Sequence, residues 1–135
     1  MSKIVSIDGP AGSGKERIAK YIAQKFNFFH LDSGILYRRL ALFIIQDELN
    51  YSNKRLLKKK LLTISSLSSR THKSLRKENI SKLSSIIAKI PIISEFVNNQ
   101  QKKIVKNKIK MNVGCLIDGR DIGSKVFKEA KIKLF

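Results

Sequence analysis

Gly9, Pro10, Ala11, Gly12, Ser13, Gly14 and Lys15 form a glycine-rich run, GPAGSGK. Glycines let a backbone curl until successive N–H groups point inward, where they suit phosphate oxygens. A helix opening directly after such a run adds partial positive charge at the same place. Lys15 then has the reach to contact the β- and γ-phosphates of a nucleoside triphosphate. The position after the lysine departs from the usual pattern. A Ser or Thr there normally touches Mg2+ or phosphate, whereas this chain has Glu16 followed by Arg17. A carboxylate about 4 Å from a phosphate charge costs on the order of 4 kcal/mol at an effective dielectric of roughly 20. Three outcomes follow: Glu16 turns outward with Arg17 compensating, Glu16 becomes an oxygen ligand to Mg2+, or the site is impaired. The first is favoured.

Two further runs carry chemistry. Leu31, Asp32, Ser33 and Gly34 precede Tyr37 and Arg38, giving LDSGILYR. Asp118, Gly119, Arg120, Asp121, Ile122, Gly123 and Ser124 follow a continuous apolar stretch. Arg38 and Arg120 are forked cations suited to phosphate. An aspartate at the carboxyl end of a buried parallel strand stands where open α/β sheets bind ligands. Taken singly, Asp32, Arg38 and Arg120 read equally well as surface ion pairs. For Asp118 a water-mediated Mg2+ contact is the alternative.

These residues need elements to hold them. Residues 3–8, KIVSID, are β-branched and end at a glycine, so they read as a buried strand. Residues 16–26 place Ile18, Ala19, Ile22, Ala23 and Phe26 at helical spacing. FFHL at 28–31 reads as a second strand, and Ser33 opens a helix burying Ile35, Leu36, Leu40, Phe43 and Ile44. Residues 50–77, with KKK at 58–60 and SSLSSR at 65–70, read as a mobile basic insert. Two helices are expected next, one burying Ile80, Leu83, Ile87 and Ile90. The other starts at Pro91, a good first-turn residue, and buries Ile92, Phe96 and Ile104. VGCLID at 113–118 is a third strand and KIKLF at 131–135 begins a fourth. Strands that alternate with helices and are apolar on both faces indicate a parallel α/β sheet. The last strand has nothing after it to cover it, so the chain reads as C-terminally incomplete.

Composition sets outer bounds. The chain has 135 residues, about one domain, with 42% hydrophobic and 28% charged residues, which is globular rather than disordered. No apolar run approaches the roughly 20 residues needed to span a membrane. The N-terminus turns polar by residue 8 and is not a signal peptide. The single cysteine, Cys115, cannot form an internal disulfide and fits a cytoplasmic protein. Mid-strand, it reads as a buried small hydrophobe. His30 and His72 have no Cys or acidic partner at ligand spacing, which argues against zinc. The net charge is +18, and residues 54–110 hold 16 basic and 2 acidic residues. Such a segment attracts anions. With 21 Lys to 7 Arg and 19 Ile, compositional bias placing lysines on solvated faces is the favoured reading, since specific phosphate recognition usually favours Arg.

The three motifs, in this order, resemble those of the bacterial cytidylate kinases: GPAGSGK, LD(S/T)G..YR and DGRD(I/M)G(T/S). The resemblance extends to Ser85, six residues before Pro91, and to residues 125–135, so it covers nearly the whole chain. It implies a P-loop NTPase-like parallel sheet with flanking helices, the nucleoside monophosphate kinase fold. It also implies a core at 1–49 and 111–135, and a mostly helical acceptor-binding insert at 50–110. The implied reaction is phosphoryl transfer from ATP to CMP or dCMP, with Mg2+, in pyrimidine nucleotide metabolism. Residues 9–17 would hold the ATP phosphates. Asp32, Ser33 and Arg38 would hold the acceptor, with Ser85 on the cytosine edge. Asp118, Arg120 and Asp121 would contact its sugar and phosphate, with Lys15, Arg120 and Asp121 carrying the catalysis. The implied partners are small nucleotides, with no membrane or nucleic acid, and a monomer is expected. In the family the chain continues past residue 135 into a lid bearing arginines.

The chain departs from the family pattern in places. The loop hydroxyl is missing, Ser94 stands where the family has arginine, and the 50–77 segment is short. Gln101-Lys102 resembles the family's QR pair, and Leu75-Arg76 an IR pair. A rival class is a non-catalytic nucleotide or nucleic-acid binder that uses the basic middle segment.

Overall fold

A computed structural model describes residues 3–10, 13–130 and 132–134. Among the described residues four parallel strands form one sheet: β1 (Ile4–Asp8), β2 (Phe29–Asp32), β3 (Cys115–Gly119) and β4 (Ile132–Leu134), in the order β2-β3-β1-β4. The α-helices among the described residues, which link β1 to β2 and β2 to β3, are α1 (Lys15–Lys25), α2 (Ser33–Gln46), α3 (Lys54–Leu62), α4 (Glu78–Ile87) and α5 (Pro91–Lys110). A 3₁₀ turn covers Lys73–Arg76 and a single π-helical turn Ile122–Val126. This is the nucleoside monophosphate kinase-like α/β architecture that the motif order implies.

The chain divides into two compact units, residues 1–33 with 101–135, and residues 34–100. The first holds the sheet. Ile7 pairs with Asp118 and Asp8 with Gly119, while Asp32 pairs with Asp118 from the other side. The carboxyl ends of β1, β2 and β3 are therefore level. Partners in a parallel sheet point the same way and alternate residues face opposite sides. Val5, Ile7 and Leu116 thus share one face, where Ala19 of α1 completes their core and Ile22 and Phe28 pack against it.

The helical repeat of α1 is rotated from its expected face. Ala19 and Ala23 are buried, but Ile18 and Phe26 are 51% and 61% exposed. Small side chains let the helix lie close on the sheet, so the larger ones stand at its rim. In α5 the buried row is Ile93, Val97 and Val105 rather than Ile92, Phe96 and Ile104, which are half-buried. Adjacent apolar pairs at 92–93, 96–97 and 104–105 let either row face inward, so the spacing alone could not choose. In β4, Ile132 and Leu134 are exposed although the strand pairs with β1.

The second unit corrects the reading of residues 50–77 as a loose insert. Asn53 caps α3 by accepting from the Leu56 N–H at 3.2 Å. Leu57, Leu61, Leu67 and Leu75 are buried, and the Leu67 N–H donates to Gln100 Oε1 at 3.0 Å. The Arg39 guanidinium donates to the carbonyls of Ser68 and Arg70. Lysines crowd the leucine spacing here and mask an ordinary amphipathic pattern. Among the described residues no helix is long and apolar enough to cross a membrane.

Candidate functional site

The site grows from the carboxyl end of the sheet. The Gly9 N–H donates to the Gly119 carbonyl at 3.1 Å, tying the loop after β1 to the loop after β3. The Ser13 N–H closes a turn on the Pro10 carbonyl at 3.3 Å. Gly14 stands at φ +86°, left-handed, and caps α1. A side chain there would be strained whatever the space around it. Lys15 is the first residue of α1. Ala11 and Gly12 lie outside the described residues.

Lys15 points back over the sheet. Its Nζ is 3.1 Å from Asp118 Oδ1, and the Asp118 side chain is fully buried. His30 Nε2 takes the other oxygen, Oδ2. The Ser33 hydroxyl donates to the Asp118 main-chain carbonyl at 3.1 Å. Strand ends from β2 and β3 and the first turn of α1 thereby converge on one carboxylate. Glu16 and Arg17 are both exposed on the first turn of α1. There the helix dipole favours an acidic side chain.

The loop after β3 is braced from β1. The Asp8 carboxylate accepts from the Ile122 N–H at 2.5 Å and the Gly123 N–H at 2.9 Å. Asp121 adopts a left-handed conformation, φ 57°, and turns the chain into the π-helical turn. Arg120 and Asp121 are exposed, and Asp121 pairs loosely with Lys125 at 3.6 Å. Gly119 has no room for a side chain, because an added Cβ would lie 2.1 Å from Ser33 Oγ.

In the first unit, Gly9, Lys15, Asp32, Ser33, Asp118, Arg120 and Asp121 all sit at or just beyond strand carboxyl ends. Lys15 and Ser33 each contact Asp118, the first at its carboxylate and the second at its main-chain carbonyl. Arg38 and Ser85 belong to the second unit. Arg38 is half-buried on α2. Ser85 is exposed on α4 and donates to the Ser81 carbonyl at 3.3 Å, while the buried serine of that helix is Ser84. Ser94 donates to the Pro91 carbonyl at 3.0 Å.

Two residues at the site carried no role in the sequence reading. Asp8 was legible in principle, as the last strand residue before a glycine loop. His30 was not, because its acidic partner lies 88 residues away. No group of three or more His, Cys, Asp or Glu side chains among the described residues could hold a metal ion.

A family model described as cytidylate kinase matches residues 5–135. The chain belongs to the cytidylate kinase family. It is 39% identical over 145 residues to a cytidylate kinase of Fusobacterium nucleatum, covering 98% of this chain and 62% of that protein. It is 33% identical over 141 residues to a cytidylate kinase of Mycoplasmopsis synoviae, covering 97% and 63%. A bifunctional pantoate ligase/cytidylate kinase of Prochlorococcus marinus is 35% identical over 146 residues, covering 98% of this chain and 28% of that protein. The chain thus spans about three-fifths of the length of the two single-function relatives.

Proposed function

We propose that this chain takes part in phosphoryl transfer from ATP to CMP or dCMP. The observation that carries the reading is the meeting of Lys15, from the glycine loop, with Asp118, from the DGRDIG segment, at the carboxyl end of the sheet. Donor and acceptor motifs separated by a hundred residues share one mouth, where open α/β sheets bind ligands. The family match supports a kinase, and the relatives' names support cytidylate as acceptor.

In this reading the backbone of residues 9–14 and the start of α1 cradle the ATP phosphates, and Lys15 bridges the transferring group. Asp32, Ser33 and Arg38 hold the acceptor, Ser85 reads its base, and Asp118, Arg120 and Asp121 contact its sugar and phosphate. Catalysis is in-line alignment plus neutralisation of developing charge by Lys15 and Arg120, with Asp121 orienting the acceptor. Mg2+ is typically held by one or two carboxylates plus substrate phosphates. When bound there, Mg2+ supplies charge neutralisation on the phosphate oxygens. The protein acts as a monomer in the cytoplasm, where its small nucleotide substrates are.

Lys15→Ala is expected to abolish ADP release with CMP, measured in a coupled assay. Unchanged turnover would rule out the loop as the donor site. A second reading, polyanion binding by residues 54–110, is favoured by the exposed Lys54, Arg55, Lys58 and Lys59 of α3.

A further inference from the structure

Asp118 is a fully buried carboxylate with two side-chain partners among the described residues, one on each oxygen. Lys15 reaches Oδ1 from the first turn of α1 and His30 reaches Oδ2 from β2. The register explains the second contact. His30 pairs with Leu116 and Asp32 with Asp118, so His30 shares a sheet face with Asp118 and meets it diagonally. A buried carboxylate that loses its partner is strongly disfavoured, because its surroundings neither solvate nor screen it. Phosphate oxygens compete with Asp118 for the Lys15 ammonium, and binding them draws Lys15 away from the carboxylate. Were Lys15 its only partner within the chain, that departure would strand the charge until an acceptor arrived and so oppose binding of the donor nucleotide.

We propose that His30 is a positioning residue for nucleotide binding: it holds Asp118 when Lys15 moves onto the donor phosphates, and so makes Lys15 available. The proposal rests on the phosphate-loop reading given above. It gives His30 a task in the site through Asp118, without contact to substrate. An imidazole N–H donates to the carboxylate in the neutral or the charged ring, so the task needs no change of protonation.

Two measurements test it. The first needs no nucleotide. Urea unfolding is compared for the wild-type chain, Lys15→Met, His30→Phe and the double variant. Each single variant removes one of the two described partners of Asp118 and the double removes both. The loss in the double variant is therefore expected to exceed the sum of the single losses, and Asp118→Asn is expected to remove the excess. Additive losses would overturn the proposal. If the double variant fails to fold, restoration of folding by Asp118→Asn supports it, and no restoration overturns it.

The second measurement is titration with a fluorescent N-methylanthraniloyl ATP. His30→Phe is expected to weaken binding at least about tenfold, as when one partner of a buried charge pair is truncated. His30→Gln, which keeps an N–H donor, is expected to restore most of it. In an Asp118→Asn background His30→Phe is expected to change nothing. Equal affinity of wild-type and His30→Phe would overturn the proposal. Absence of binding by the wild-type chain would overturn the phosphate-loop reading and with it the nucleotide half of the proposal. The unfolding cycle would then decide separately whether His30 backs Lys15 on Asp118.

Discussion

Lys15, Asp118 and His30 illustrate how single residues take their chemistry from surroundings. Lys15 and Asp118 were legible as candidates, because each sits in a motif whose types and spacing suit phosphate. His30 was opaque, since only the pairing of β2 with β3 brings it to Asp118. Cys115 shows the reverse case, a residue whose bland reading is physically specific. It is fully buried, and burial pushes its thiol from an ordinary 9.0 up to about 11, with Lys108 pulling weakly the other way. The folded chain thus keeps its proton where the unfolded chain has lost it. Stability from this group is intact below about 9 and declines as pH rises toward about 11. In urea unfolding, the advantage of wild-type over Cys115→Ala is expected to shrink between pH 8 and pH 10.5. A constant advantage would reject the burial effect.

At the scale of elements, the strands were legible and the helix faces less so. Continuous apolar runs mark buried parallel strands almost regardless of context. A helix face depends on which of two neighbouring apolar residues turns inward: in α5 packing chose the row that spacing had not, and in α1 it kept Ala19 and Ala23 but left Ile18 and Phe26 at the rim. Residues 50–77 were misread because lysines outnumber the leucines that anchor them. The elements of the site are held by close approaches rather than by bulk. Gly119 lies so near Ser33 Oγ and Ile122 that a methyl group must displace one of them. Gly119→Ala is therefore expected to destabilise the chain by about 1–3 kcal/mol, as overpacking does. Adding Ser33→Ala removes the nearest clashing atom and is expected to recover part of the loss in urea unfolding. A neutral Gly119→Ala would show that β3 and α2 are looser than described.

For the whole molecule, the outlying property is charge. The net +18 lies mostly in residues 54–110, of which 54–100 belong to the second unit, while the Lys15–Asp118 contact lies in the first. A charged surface and a recessed site respond differently to salt. Backbone-type polyanion binding falls steeply and linearly in a log–log plot, because counterions are released. Nucleotide binding in a recessed site is expected to weaken only mildly between about 50 and 200 mM salt, an interval over which polyanion binding drops by orders of magnitude. A steep slope for CMP would favour the polyanion reading. The most direct measurement is coupled ADP release by this chain with ATP, Mg2+ and each of CMP, dCMP, UMP and AMP. Turnover with CMP and dCMP above UMP and AMP is the expected result. Absence of turnover with every acceptor, or a preference for AMP, would contradict the assignment.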